Sequence, residues 1–495
     1  MTTSLTTSTE PLSHRRRWAA LGVLVGAVLL LAVDGTVLYL AVPSLTRELA
    51  PSATEILWIG DIYSLALAGL LVTAGNLADR FGRKRVLLIG TAAFGLASVL
   101  AAFSPTAGVL IFARLLLGVA AATIMPSTLS IIRTLFADPR ERTRAIAIWS
   151  AGSGGGIALG PLVGGVLLEH YWWGSVFLIN VPIVVGFLIA GALLLPESRD
   201  PHPGRFDLLS AGLSMAAIVP LVYAVKHAVG SGIDVPVVLA AAAGLLAGTA
   251  FIRRQRRAAN PLIDVTLFRH GAFSGAVLAN FVSVFALMGL LFFFSQYLQL
   301  VRGFGPLEAG LAEMPATLAS IVVVAAVGVV VTRLGRGRAV AAGLGVTALG
   351  LLMVALAERA SHYGWLGLAL LPVGLGVGLA LTLTVDSVLS AVPRDKAGSA
   401  SAISETAYEL GAALGIAILG SLVTLVYRAF LPADVPGEVR DSLAGAAAVL
   451  DPGSGLAQTA REAFTGAMQV TSVAAAAVTA VAAVIAWRTI PSGKD

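Results

Sequence analysis

Cysteine is absent from all 495 residues, which excludes disulfides, a thiolate nucleophile and cysteine-based metal sites. Charge is scarce too. Only 12% of the chain is Asp, Glu, Lys or Arg, about half of what a soluble protein of this length carries. No GxxxxGK[ST] phosphate loop occurs, which argues against ATP as an energy source. The six histidines (His14, His170, His202, His227, His270 and His362) fall in or beside expected loops, so neither a metal cluster nor a Ser/His/Asp catalytic set is expected. No enzyme emerges from these absences.

What remains is mostly apolar: 57% hydrophobic residues and a mean hydropathy of +0.89. Runs of about 20 apolar residues recur from end to end, each long enough to cross a bilayer as a helix. The first, 18–42, is too long for a signal-peptide core and is expected to be retained. The remaining spans are expected at 55–76, 86–103, 107–132, 143–167, 173–195, 207–227, 235–252, 272–298, 307–331, 339–357, 363–391, 398–427 and 465–488. Fourteen spans put both termini on one side. With that side cytoplasmic, and with residues at a span's edge counted to the adjoining segment, 25 of the 33 Lys and Arg are inner and seven outer, Lys226 among the latter, while Arg114 lies well within a span. This obeys the positive-inside rule. The pI of 9.8 therefore reflects topology, and no nucleic-acid partner is expected. The longest break, 428–464, is an outer segment open to either a partly ordered hairpin or a flexible loop.

The chain also repeats itself. "GNLADRFGRKR" (75–85) joins the second and third spans, and "GVVVTRLGRGR" (328–338) joins the tenth and eleventh. Gly75, Arg80, Gly82, Arg83 and Arg85 recur as Gly328, Arg333, Gly335, Arg336 and Arg338 at one offset of 253. "PRER" (139–142) is echoed by "PRDK" (393–396) at nearly the same offset. Chance likeness of basic turns accounts for the arginines but not for the shared glycine spacing. Two parallel six-helix units follow, 1–200 and 266–495, separated by a two-helix insert at 201–265. Parallel repeats of this kind place a substrate site near the midplane between them.

Several motifs carry chemistry. Asp79 in the first loop can accept hydrogen bonds from Arg or from a helix N-terminus, and Gly75 permits close helix approach. "RLLLG" (114–118) sets Arg114 inside the membrane. "GSGGGIALGPLVGG" (152–165) lines up small residues around Pro161, a pattern that ordinary helix packing also produces. As a set, these resemble the major facilitator superfamily of secondary transporters. "DGTVLYLAVP" (34–43), "LWIGDIYSL" (57–65), "WGSVFLINVPI" (173–183) and "SETAYELG" (404–411) resemble its fourteen-helix drug:proton antiporters of the quaternary-ammonium and dye exporter type. Leu117, Tyr39 and Thr332 depart from the usual pattern.

The resemblance implies an all-α polytopic fold of two six-helix bundles plus two extra helices, driven by protons without a cofactor. It also implies a conformational role for Gly75, Asp79, Arg80, Gly82, Arg83, Gly156, Gly160, Pro161, Gly164 and Gly165.

Beyond the first two residues of each expected span, six acids remain inside: Asp34, Asp61, Glu313, Asp386, Glu405 and Glu409. A charged carboxylate facing lipid at a helix centre costs about 3 kcal/mol, so each must be paired, hydrated or neutralised. The resemblance places the first and fourth helices side by side, making Arg114 the candidate partner of Asp34. That pair is open to two readings, a protonation-sensitive switch or a static ion pair. Asp61 follows Trp58 by one turn, with Tyr63 nearby. An acid beside aromatic rings suits a lipophilic cation, although a solvated helix end would also tolerate it. Glu405 and Glu409 lie one turn apart on one helix face beside Tyr408, so ionising both is unfavourable, which suits a proton carrier. Glu313 is a cavity candidate by position, and Asp386 fits a structural role near an inner helix end. Phe285, Phe292, Phe293, Phe294 and Tyr297 form an aromatic run in the ninth span, where lipid-facing packing is expected for most of Phe292 to Phe294.

The expected function is proton-coupled export of lipophilic, mainly cationic compounds through the bacterial inner membrane by a monomer. Asp34, Arg114, Glu405 and Glu409 are expected to couple protons. Asp34, Tyr39, Trp58, Asp61, Tyr63, Glu313, Tyr408 and Glu409 are expected to bind substrate. A dedicated exporter of one antibiotic or metabolite, and a non-transporting sensor on a transporter-like scaffold, are the alternatives.

Overall fold

A computed structural model of the chain describes residues 13–199, 207–258, 261–392 and 397–492. Among them, fourteen helices are long and apolar enough to cross a membrane. They are α1 (His14–Leu49), α2 (Ala53–Phe81), α3 (Arg83–Ala102), α4 (Ala107–Leu135), α5 (Arg140–His170), α6 (Ser175–Leu194) and α7 (Leu208–Val229). There follow α8 (Val235–Arg257), α9 (Gly271–Val301), α10 (Pro306–Val324), α11 (Arg336–Ala357), α12 (Tyr363–Ser390), α13 (Ser399–Phe430) and α14 (Gly455–Thr489). The "PRDK" echo (393–396) lies outside the described residues, as do Arg205 and Lys494.

Many helices outrun their apolar cores because polar residues cap them. Ser52 and Glu55 form a reciprocal capping box at the start of α2, the Glu55 carboxylate accepting from the Ser52 N–H at 2.9 Å. Asp138 accepts from the Glu141 N–H at the head of α5 at 2.9 Å. With 36 residues, α1 is about 54 Å long at 1.5 Å per residue, well beyond a hydrocarbon core of about 30 Å. One expected span is interrupted instead. The tenth breaks at Ala325 and Ala326, whose N–H groups reach back only three residues, and resumes as a short helix, Val327–Leu334.

Packing repeats between the two units. α1 packs on α5, α2 on α4, and α3 on α4 and α6; α9 packs on α13, α10 on α12, and α11 on α12 and α14. The two units meet where α2 touches α13 and where α5 touches α10. Helices α7 and α8 pair with each other, and α7 also reaches both α2 and α13. One end of the bundle, the motif face, carries the α2–α3 and α10–α11 turns. Gly82 and Gly335, matching residues of the repeat, both adopt positive φ there (108° and 78°), a conformation that favours glycine. The opposite end, the hairpin face, carries the segment between α13 and α14. It is shorter than expected and folds into two short helices, Gly437–Asp441 and Leu443–Val449. Asp441 ties it down, accepting from the Ala53 N–H at the start of α2 at 2.6 Å and from Arg428 of α13 at 2.6 Å.

The aromatic run of α9 corrects an expectation. Phe292, Phe293 and Phe294 are all buried, because α9 is surrounded by α1, α12, α13 and α14 rather than facing lipid. Phe292 meets the Tyr39 ring edge-on with centroids 5.4 Å apart.

Candidate functional site

Asp34 sits midway along α1, fully buried. Arg114 of α4 donates to its Oδ2 from Nη1 at 3.1 Å, and Asn180 of α6 donates to its Oδ1 at 2.7 Å. The guanidinium is itself held by its Nε bond to the Ile59 carbonyl of α2 at 3.2 Å and by the Tyr63 ring, whose centroid lies 4.7 Å away. Asn180 also donates to Ser98 of α3 at 3.2 Å. Five helices of the first unit thus converge on one carboxylate, which is enclosed by protein partners and not open to a cavity. Sequence reasoning placed Arg114 here through the resemblance but gave Asn180 no role. An amide in the otherwise apolar "FLINVPI" was the available signal.

A second buried ion pair was not anticipated. Asp61 of α2 is fully buried, not solvated at a helix end. Lys226 of α7 donates to its Oδ1 at 2.7 Å and lies 2.6 Å from Oδ2. The same ammonium sits 3.6 Å from the centroid of the Trp58 ring. Lys226 was expected among outer-loop charges. It lies instead inside the span Leu208–Val229 with its side chain wholly enclosed, because α7 packs on α2 and turns this residue toward Asp61 rather than toward the aqueous end of the helix.

The acids of the second unit are arranged differently. Glu409 is buried, with Ser64 of α2 as its hydrogen-bonding neighbour. Glu313 of α10 is buried with no hydrogen-bond partner at Oε1. Tyr39 of α1 is buried and its hydroxyl donates to the Met288 sulfur of α9 at 3.6 Å, so it bridges the two units. Glu405 is half-buried and lines a cavity of about 380 Å³ at the motif face. Gly75 and Asp79 of α2, Pro126 and Arg133 of α4, and Trp149 of α5 form its other walls. Asp34, Asp61, Glu313, Glu409, Trp58 and the three tyrosines do not line that cavity. A larger apolar groove of about 750 Å³ runs along α2, α3 and α4, away from every acid named here.

The motif residues serve as joints. Asp79 accepts from Arg83 one turn on at 2.8 Å, and Arg83 also donates to Thr134 of α4 at 3.1 Å. Glu197, beyond α6, accepts from the Lys84 N–H at 3.1 Å, and a side chain at Gly82 would collide with it. Arg80 is exposed and lies over the Phe81 ring. In the second copy, where Thr332 replaces the aspartate, Arg336 pairs with Asp386 of α12 at 3.3 Å. Gly156, Gly160 and Gly164 form a stripe against α1, where added side chains would strike Ala32, Thr36 and Val37. Pro161 and Gly165 face α10: a Cβ at Gly165 would lie 2.7 Å from the Leu307 Cα, and one at Gly310 would strike the Pro161 carbonyl. This helix therefore packs on its own unit with one face and on the other unit with the next.

A repeated bundle of spanning helices that keeps acids and cations paired inside protein defines a multi-pass membrane transporter. The chain belongs to the Major Facilitator Superfamily, whose family model matches residues 24–416. It is 45% identical over 483 residues to the multidrug efflux pump LfrA of Mycolicibacterium smegmatis, with 95% of each chain covered. It is 39% identical over 417 residues to the methyl viologen resistance protein SmvA of Salmonella typhimurium, 84% of each. It is 34% identical to the tetracenomycin C resistance and export protein of Streptomyces glaucescens, covering 82% of this chain and 76% of that one. Among solved structures, a bacterial homolog of the human lysosomal transporter Spinster, inward-facing and unoccupied, shares the fold with a TM-score of 0.70 at 16% identity. The match covers 97% of this chain and 98% of that one.

Proposed function

We propose that this chain exports lipophilic, mainly cationic drugs, dyes and quaternary ammonium compounds from the bacterial cytoplasm in exchange for protons. The observation that carries this reading is the Asp34–Arg114–Asn180 network, a carboxylate locked to a cation by five helices. Its relatives' names, a multidrug efflux pump and a methyl viologen resistance protein, supply the substrate class. A proton reaching Asp34 cancels its charge and frees Arg114, which gives the bundle two electrostatic states. Glu409 and Glu405 offer further proton-accepting groups nearer the motif face. A cation that binds better to one protonation state shifts proton affinity by the same factor, so exchange follows from reciprocal linkage. No bound cofactor is needed.

In this reading the motif face and both termini are cytoplasmic. Moving Lys226 out of the outer loops strengthens the charge asymmetry on which the orientation rests. The cavity beside Glu405 is then the cytoplasmic entrance, while the α5–α10 contact and the 431–454 hairpin close the outer side. Units 1–200 and 266–495 rock about the midplane as a monomer, with 201–265 as an appended pair.

The test uses purified protein in proteoliposomes with an imposed pH gradient. Ethidium should move against the proton flux and stop when the gradient is collapsed; no exchange with any organic cation would sink the proposal. Likeness to an export protein for one antibiotic favours a second reading, a dedicated exporter, which gains if a single compound alone is exchanged.

A further inference from the structure

The Asp61 site contains what an organic cation would look for, and it is already filled. A carboxylate at 2.6 Å and the face of an indole at 3.6 Å surround the Lys226 ammonium. Negative charge and an aromatic face together are the chemistry that recognises alkylammonium groups. The ammonium arrives on α7, one of the two helices outside the repeated pairs. Beside it, Ile62 and Leu65 of α2, Val222 of α7, and Ala413 and Ala417 of α13 form a separate apolar cluster, with Trp58 packed against it. The pair therefore lies at the seam between the two units, and α7 touches both sides of that seam. The pair occupies the position where α2 and α13 must part if the units move against each other.

We propose that Lys226 is a tethered competitor: its ammonium occupies the Asp61–Trp58 site until a lipophilic organic cation displaces it. The inference rests on the export reading above and adds a role for the two-helix insert. Small hydrated cations cannot repay the loss of the lysine's ion pair and ring contact. A delocalised cation with apolar bulk can, because it replaces both contacts and fills the surrounding apolar cluster. Displacement also detaches α7 from α2, so occupation of the site loosens the seam.

The test measures equilibrium binding of tetraphenylphosphonium to the purified full-length protein. Lys226→Met keeps the length and apolar stem but empties the site, and should bind the probe on the order of tenfold tighter than the wild type. Lys226→Arg should stay near wild type, and adding Asp61→Asn to Lys226→Met should abolish the gain. Equal or weaker binding by a Lys226→Met protein that remains monodisperse would overturn the proposal, as would a gain that survives Asp61→Asn.

A measurement on the wild type guards against misfolding of the variant. Acetic anhydride modification of Lys226, read by mass spectrometry, should rise when saturating tetraphenylphosphonium is present. Unchanged modification with the probe bound would also overturn the displacement. Loss of probe binding in every form, wild type included, would instead remove the export reading and this inference with it.

Discussion

The two repeated units treat their membrane acids in opposite ways. In the first, Asp34 faces Arg114 and Asp61 faces Lys226, each at ion-pair distance and each fully buried. In the second, Glu313, Glu405 and Glu409 meet no Arg or Lys at that distance among the described residues, although Asp386 at the motif face does. Breaking a buried pair leaves an uncompensated charge, whereas an unpaired carboxyl can change its protonation without stranding a partner. The first unit is thus built to hold a geometry until its charge is altered, and the second to take or lose protons at small structural cost. On the proposed exchange, the two halves of one repeat have diverged into a latch and a proton store.

The largest effect should come from breaking the latch. Asp34→Asn leaves Arg114 charged in the protein interior and should cost about 3–5 kcal/mol of stability, while dye efflux falls to background. Adding Arg114→Leu should recover much of the stability and none of the transport. Thermal unfolding in detergent reads the first quantity and proteoliposome efflux the second; simple additivity of the two stability losses would show that no latch exists. Glu409→Gln, by contrast, should change stability by less than about 1 kcal/mol yet suppress the proton release that follows dye addition. Glu405→Gln should do so more weakly, because Glu405 already borders a cavity. If Glu409→Gln destabilises as much as Asp34→Asn, the contrast between the units fails.

A smaller effect is expected where the units touch. At Gly310 any side chain strikes the Pro161 backbone, so Gly310→Val should cost about 1–3 kcal/mol by forcing α5 and α10 apart at the hairpin face. The cysteine-free sequence makes this easy to follow. A single cysteine replacing Gln299 of α9, whose amide donates to the Leu40 carbonyl of α1 in the neighbouring contact between the units at 3.0 Å, should react faster with an impermeant maleimide in the Gly310→Val background. An unchanged labelling rate would show that this contact does not close the hairpin face.

Much of this was legible in the sequence, and the rest was hidden for identifiable reasons. The fourteen spans were readable because apolar runs of bilayer length seldom occur outside membrane helices. Their extensions were not, because caps such as Ser52 and Asp138 lie outside any apolar run. The repeat was readable from Gly82 and Gly335, which share a backbone conformation as well as a spacing. Asp34 and Arg114 came together through family resemblance; nothing in their separation along the chain implies contact. Asn180 sat within a recognised stretch and went unassigned. Charge counting places Lys226 outside because it falls in the last turn of its span, one residue from the expected end, and nothing in the sequence says that its side chain turns inward to Asp61. Phe292 to Phe294 show the same blindness, since hydropathy does not distinguish lipid from the interior of a bundle.

The smallest effect concerns an acid just beyond the membrane, where the rule of unpaired carboxyls in the second unit can be checked by pH. Glu358 follows α11 at the hairpin face and is buried. Its Oε1 accepts from Ser472 of α14 at 3.2 Å, while Oε2 has no hydrogen-bond partner. Arg302 lies close by but spends its donors on the Ala360 and Ser361 carbonyls and on the Tyr297 hydroxyl. Burial therefore dominates and pushes the carboxyl up to about 8, against smaller opposing effects from Ser472 and Arg302. Between the unfolded value of 4.5 and about 8, the folded protein holds a proton that the unfolded chain has released. Its contribution is complete at the acid end of that window and is lost as pH rises through it. Unfolding temperature should accordingly fall by about 2 °C between pH 5 and pH 8 on account of this residue, and Glu358→Gln should remove that slope. A slope that persists unchanged in Glu358→Gln would show that another group carries it and that Glu358 does not hold a proton across this window.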